Sequence, residues 1–195
     1  METTQTKQQQ IELILVDEID EPEIPIRSSI EQEQLEILKN SIKQNGIIEP
    51  LIIRKRNDRF EIIAGHRRFL AARAIGLTTV PCIVRDESDE NTLILRFTEN
   101  WGREDSDPLA QAKVISLLLS TNENNTELVA KLLGISQYMI NSRMEIHAMQ
   151  PDLQSALSVK LIPMSVAREL SKIDDDTQRI YLLTTAIDNG ATLRT

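Results

Sequence analysis

Phe60-Glu61-Ile62-Ile63-Ala64-Gly65-His66-Arg67-Arg68-Phe69-Leu70-Ala71-Ala72 passes from an apolar run into a helical pattern with one glycine between them. Phe60 to Ala64 has strand character. Leu70, Ala71, Ala74 and Ile75 are expected to form the inner face of the helix, which Gly76 ends. Glycine at such a strand-to-helix junction lets the backbone approach a ligand closely, because it carries no Cβ. The helix that follows presents free N–H groups and the positive end of its dipole. Arg67 and Arg68 add planar forks suited to phosphate oxygens. Residue chemistry therefore allows a phosphate cradle at Gly65, His66, Arg67 and Arg68. It equally allows a surface Arg pair on an amphipathic helix.

The neighbouring segments extend this into a mixed α/β domain. Leu51 to Arg54 and Phe60 to Ala64, separated by Arg56-Asn57-Asp58, read as a hairpin. Ser29-Ile30-Glu31-Gln32 has capping-box form and opens a helix with Leu35, Leu38 and Ile42 at helical spacing, stopped by Gly46. Ile11 to Val16 is an expected strand, Asp17 to Pro25 an acidic loop, and Met1 to Gln10 a disordered tail. Downstream, Val80 to Val84 is a strand. Ser88 to about Asn100 is a helix with Leu93, Ile94 and Phe97 inside. Beyond about residue 105 the pattern is helical throughout. Asp107-Pro108 is a helix start, Thr126 is expected to cap a short helix to Leu133, and Ser136 the next, to about Met149. Pro151 and Pro163 open further helices. The expected division is a tail at 1–10, an α/β domain at 11–105 and a helical domain at 106–195.

Charge is distributed unevenly. The 195 residues carry a net −8, which counts against a broad DNA-coating surface, since phosphate contact needs Lys and Arg. Residues 1–24 hold one Lys against seven acids, whereas residues 51–73 hold seven Lys and Arg against two acids. A basic island in an acidic chain points to a local anion site. The single cysteine, Cys82, allows no internal disulfide and reads as a buried, inert thiol. No apolar run approaches the roughly 20 residues of a membrane span, and the polar start is unlike a signal peptide. The expectation is a cytoplasmic protein with no membrane partner.

A second stretch, Thr98-Glu99-Asn100-Trp101-Gly102-Arg103-Glu104-Asp105, follows about thirty residues after the first. Glu99 and Asn100 offer oxygens suited to Mg²⁺, which takes one or two protein ligands plus substrate phosphates. Arg103 is a further phosphate candidate. A solvated, charged helix end is the plainer reading of the same residues.

Taken together, Gly-x-Arg-Arg after a strand and the later Glu-Asn-x-x-Arg-Glu-Asp resemble the two nucleotide boxes of the ParB family. The resemblance runs collinearly over roughly residues 10 to 195. It takes in Ile26-Arg27, Asn45-Gly46-Ile47-Ile48-Glu49-Pro50-Leu51, Arg73-Ala74-Ile75-Gly76, Val80-Pro81, Asp107-Pro108-Leu109-Ala110-Gln111-Ala112 and Pro163-Met164-Ser165-Val166-Ala167-Arg168. It implies an α+β chain, with a ParB/sulfiredoxin-like N-terminal domain followed by an all-α helix-turn-helix domain. It also implies a site for CTP with Mg²⁺. Gly65, His66, Arg67, Arg68, Glu99, Asn100 and Arg103 would bind the nucleotide, with Glu99 and Asn100 toward the metal. In the family, nucleotide binding closes two protomers into a clamp on DNA and slow hydrolysis reopens it, in plasmid or chromosome partition.

The chain departs from the pattern in places. His66 stands where the family has Glu, and Gly102 where it has Gln; loss of that carboxylate weakens the case for a CTPase. Gly-His-Arg is also similar to sulfiredoxin, which uses ATP, but Gly65 occupies the place of the cysteine that chemistry needs. The family's C-terminal dimerisation domain is expected to be absent, since the chain stops at Thr195. The basic N-terminal tail that contacts a ParA-type ATPase is replaced by an acidic, Gln-rich start. Two alternatives stand beside the clamp: a DNA-binding regulator that has lost hydrolysis, and a nuclease or ATP-using relative, for which a dense two-metal cluster is missing.

Thr126-Glu127-Leu128-Val129-Ala130-Lys131-Leu132-Leu133-Gly134-Ile135-Ser136 is a helix-turn-helix signature, which points to double-stranded DNA. Ala130 is small where two helices cross, Gly134 makes the turn, and Ile135 and Ile140 plug the core. The second helix would enter the major groove. The candidate DNA contacts are Thr126, Ser136, Gln137, Tyr138, Asn141 and Ser142, with Arg143 toward a phosphate. Residues 126–150 hold two basic and two acidic residues, so non-specific affinity should be weak. An ordinary helical hairpin is the plainer reading.

Overall fold

The computed structural model describes residues 10–22, 32–103 and 106–190. The expected tail up to residue 9, the Ile26-Arg27 pair, Ser29 to Glu31 of the capping box, and Glu104-Asp105 lie outside the described residues. The described chain divides into two compact units, with the change at Glu99/Asn100. The architecture is a mixed α/β sheet domain followed by a helical domain.

Among the described residues, five strands and three α-helices make the first unit. The strands are β1 (Ile11–Leu15), β2 (Ile19–Asp20), β3 (Leu51–Arg56), β4 (Arg59–Ala64) and β5 (Thr79–Arg85). The helices are α1 (Gln32–Asn45), α2 (His66–Ala74) and α3 (Asp89–Asn100). The sheet order is β1-β5-β3-β4-β2. β3 and β4 form the expected hairpin, turning at Asn57 with a left-handed φ of 55°, a conformation Asn tolerates. Leu51, Ile53, Ile62, Val80 and Cys82 point to one face of the sheet and pack with Phe69 and Ala72 of α2. Cys82 is fully buried, and that burial pushes its thiol up to about 12, so it is inert at neutral pH.

Three expectations for this unit need correction. The stretch from Asp17 contains a 3₁₀ turn, Val16–Glu18, and then β2, which pairs parallel with β4. A strand of two residues leaves no periodicity to read, and its partner lies some forty residues away. In α2 the buried residues are Phe69, Ala71 and Ala72, while Ala74 is exposed and Leu70 and Ile75 are half-buried. The packed face is thus rotated by about one position. In α3 the buried residues are Thr92, Arg96 and Phe97, while Leu93 and Ile94 are only half-buried.

The second unit contains α4 (Pro108–Thr121), α5 (Thr126–Leu133), α6 (Gln137–Ala148), α7 (Pro151–Ser158), α8 (Met164–Leu170) and α9 (Asp176–Asp188). α4 is its central helix and packs on α5, α6 and α7, with Val114, Ile115 and Leu118 fully buried. A helix buried on so many sides needs apolar residues nearly all round. Arg179 ties α9 to α7 through Asp152, at 3.0 and 3.3 Å, and also pairs with Asp176 at 2.7 Å. The expected starts at Asp107-Pro108, Ser136, Pro151 and Pro163 all open helices. The cap of α5 is Asn125, not Thr126: its side chain accepts from Leu128 N at 3.0 Å, and Thr126 is the first helical residue.

Candidate functional site

Gly65 sits where β4 ends and α2 begins, at φ 94°, in the left-handed region that disfavours any side chain. A Cβ there would lie 3.2 Å from Leu51 Cγ and 3.3 Å from Arg68 Cζ. The residue is glycine for both reasons. No side chain caps α2, and the helical ladder starts with Phe69 N donating to Gly65 O at 3.0 Å. The first N–H groups of α2 are therefore left without intrahelical partners.

The two arginines differ. The Arg68 guanidinium donates to the carbonyls of Glu49 and Pro50, the latter at 3.0 Å, and pairs with the Glu49 carboxylate at 3.0 Å. It ties the segment before β3 to α2. The Nε of Arg67 is buried, and among the described residues it has no hydrogen-bond partner. Buried donors are almost always paired, so an unpaired one calls for an explanation. His66 Nε2 lies 2.9 Å from Glu21 Oε2, and the other oxygen of Glu21 accepts from Arg73 Nη2 at 2.7 Å. The His66 hydrogen bond, with help from Arg73, holds the Glu21 carboxyl below the usual carboxylate range. Sequence reasoning missed Glu21 because it belongs to the acidic stretch and meets His66 only through the fold.

A buried ionic cluster lies beneath this turn. Glu61 on β4 takes Arg54 Nε at 2.8 Å on one oxygen and Arg96 Nη2 at 3.1 Å on the other. Arg54 also reaches Asp89 at 2.5 Å and the Glu87 carbonyl at 3.2 Å. Arg96 further donates to the Ile62 carbonyl, from Nε at 3.0 Å and from Nη2. Burial pushes against ionisation of Glu61, but the two guanidinium groups outweigh it and hold the carboxyl below its usual range. Burial lowers Arg96 from the ordinary guanidinium value. Glu99 is exposed on the last turn of α3, in the same unit as Gly65 to Arg68. Asn100 closes α3 and groups with the helical unit, as does the exposed Arg103. Among the described residues, no three His, Cys, Asp or Glu side chains converge as a metal site. A cation here would draw on phosphate oxygens as well.

In the helical unit, α5 and α6 meet through a turn at Gly134, φ 67°. Val129, Ala130, Leu133 and Ile140 are buried between them and their neighbours. Ser136 caps α6, its Oγ accepting from Met139 N at 3.3 Å. Gln137, Tyr138 and Asn141 are exposed, while Thr126 and Ser142 are half-buried. Arg143 is engaged within the unit: its Nε donates to Gln111 Oε1 at 2.7 Å, and its guanidinium lies 5.8 Å from the Trp101 ring centre. Burial lowers it from the ordinary guanidinium value. Glu145 makes a two-point ion pair with Arg168, at 2.7 and 2.9 Å.

Residues 1–101 match the family model of the ParB N-terminal domain, and residues 104–195 match that of the ParB HTH domain. The chain belongs to the ParB family. It is 29% identical over 182 residues to a nucleoid occlusion protein of Listeria monocytogenes, covering 93% of this chain and 64% of that protein. It is 31% identical over 169 residues to a probable chromosome-partitioning protein ParB of Neisseria meningitidis, covering 86% of this chain and 59% of that one. The chain thus spans under two thirds of these curated relatives. Among solved structures, it resembles the C-terminally truncated chromosome-partitioning protein ParB of Caulobacter crescentus complexed to the centromeric parS site. The identity is 27% and the TM-score 0.57, covering 94% of this chain and 95% of that one. No described helix is long and apolar enough to cross a membrane.

Proposed function

We propose that this chain is a nucleotide-gated DNA clamp of the ParB kind, acting in the cytoplasm on chromosomal or plasmid DNA during partition. CTP with Mg²⁺ is its ligand and a dimer its working form. The observation that carries this reading is the first turn of α2. The helix is uncapped, its N-cap is a glycine, and the buried Nε of Arg67 has no hydrogen-bond partner among the described residues. A phosphate meets each of these at once, as a charge-assisted acceptor for the backbone N–H groups and for Arg67. Glu99 and Asn100 offer oxygens for Mg²⁺, which would neutralise phosphate charge, and Arg103 a further cation. DNA is read by α6, with Gln137, Tyr138 and Asn141 exposed toward base edges and Thr126, Ser136 and Ser142 toward the backbone. The parS complex of the Caulobacter relative supports duplex DNA as the ligand. Arg143 contributes by holding α6 to α4 rather than by touching phosphate.

Hydrolysis is slow in this reading, because Gly65, Arg67, Arg68 and Glu99 offer groups that position phosphate and neutralise its charge, and the Nε2 of His66 is turned to the Glu21 carboxylate at 2.9 Å. A histidine at position 66 in place of a carboxylate favours one second reading, a DNA-binding regulator in which nucleotide binds without turnover. Crosslinking tests the clamp: single cysteines placed in the helices after Pro108, with Cys82→Ser, should crosslink between protomers only when CTP and DNA are both present. Phosphate release separates the two readings. Crosslinking indifferent to both ligands would leave a plain DNA-binding module.

A further inference from the structure

Arg96 joins the two stretches on which the nucleotide reading rests. It lies on α3, three residues before Glu99, and its guanidinium holds the Ile62 carbonyl and the Glu61 carboxylate on β4. Ile62 in turn lies three residues before Gly65, beside the register shift in the β3–β4 ladder. Three helical residues carry the chain about 4.5 Å from Arg96 to Glu99, and three strand residues carry it about 10 Å from Ile62 to Gly65. Both boxes therefore extend from a single anchored point. The start of α3 is fixed as well, because Arg54 bonds Glu61, Asp89 and the Glu87 carbonyl together. The helix can neither slide nor turn on the sheet without breaking these bonds.

Burying two arginines and a glutamate is an expensive way to fill that volume. Apolar residues of similar size are often as stable or more so, and what a hydrogen-bonded cluster adds is directionality. Arg54, Glu61 and Arg96 are only 6%, 3% and 5% exposed, so this cost is borne in full. We propose that Arg96, held by Glu61, is a positioning residue that fixes the Glu99 end of α3 relative to the Gly65 turn, and so sets the Mg²⁺-dependent part of nucleotide affinity. The proposal rests on the nucleotide reading above and deepens it.

The test uses the full chain with Arg96→Met and with the pair Glu61→Leu/Arg96→Met. The second variant removes the carboxylate as well, leaving Arg54 to Asp89 and the Glu87 carbonyl and taking from Arg56 its contact at 3.4 Å. CTP binding is measured by calorimetry with Mg²⁺ and again with EDTA, beside Tm and DNA affinity without nucleotide. Both variants lower Tm, because Arg96→Met strips the Ile62 carbonyl of its donor and Glu61→Leu also takes the buried carboxylate from Arg54. In both variants the gain in CTP affinity on adding Mg²⁺ shrinks by about 10-fold or more, the usual effect of removing an outer-shell partner, while affinity in EDTA and DNA affinity stay close to wild type. A folded Arg96→Met variant with a wild-type Mg²⁺ gain overturns the role of Arg96 and leaves the nucleotide site standing. If the unaltered chain binds no nucleoside triphosphate, the site and the proposal fall together.

Discussion

In the helical unit, Asp107, Asn125, Ser136 and Asp175 each accept a backbone N–H at the start of a helix, at 2.9, 3.0, 3.3 and 2.6 Å. Where that unit has no such cap, a proline stands instead: Pro151 is the first helical residue of α7, and Pro163 precedes α8. In the sheet unit, Ser88 does the same for α3 at 3.1 Å. α2 begins at Gly65, with no side chain to cap it and a buried, unpaired Arg67 Nε beside it. A cap is worth about 1 kcal/mol. Among the α-helices whose N-caps are described, α2 alone starts with neither a capping side chain nor a proline, and the proposed phosphate would fill that place. The contrast separates helix starts closed by their own side chains from the one start where the proposed nucleotide would bind.

The largest effect should come from filling the glycine. Gly65→Ala sets a Cβ 3.2 Å from Leu51 Cγ at a strained φ, at a cost of about 1–3 kcal/mol in stability, and should remove measurable CTP binding. Retained binding would place the phosphates elsewhere. The two arginines should then separate. Arg67→Ala is expected to cost about 1.5–3 kcal/mol of CTP affinity, the scale of a hydrogen bond to a charged group, with little change in Tm. Arg68→Ala should lower Tm as well, since it releases the Glu49 and Pro50 carbonyls. Equal profiles by calorimetry and melting would erase the distinction drawn here. Asn125→Ala, at a structural start, should cost about 1 kcal/mol of stability and leave CTP affinity unchanged.

The smallest effect concerns Glu21, whose folded pKa is depressed, chiefly by His66. The contribution of such a carboxyl is present above its unfolded pKa and lost as pH falls through the folded one. Glu21→Gln should therefore melt slightly below wild type at neutral pH, and the gap should close below the ordinary carboxylate range. A gap constant with pH would mean the pair contributes nothing through ionisation.

Local signals carried most of this architecture. Strand, glycine and helix at Phe60 to Ala74 are written in the period and the glycine, and Asp107-Pro108 and Ser136 announce helices by their own chemistry. Asn125 and Thr126 are adjacent cap formers, and only the backbone decides between them. β2 was hidden because its two residues gain strand character solely from pairing with β4. The ionic cluster was hidden for a related reason. Arg54 and Arg96 are residue types that usually lie exposed, and nothing local shows that Glu61 waits between them. Gly65 and Arg67, the proposed phosphate contacts, stand out in the sequence by residue type, but the different partners of Arg67 and Arg68 depend on carbonyls eighteen and nineteen residues away from Arg68.

The most direct test of a binding surface at the start of α2 is a calorimetric titration of the chain with CTP, ATP, GTP and UTP in Mg²⁺, repeated with Arg67→Ala. CTP is expected to bind in preference to the other three, and the substitution to weaken it at an unchanged Tm. No binding of any of the four, or binding indifferent to Arg67, would contradict a binding surface there.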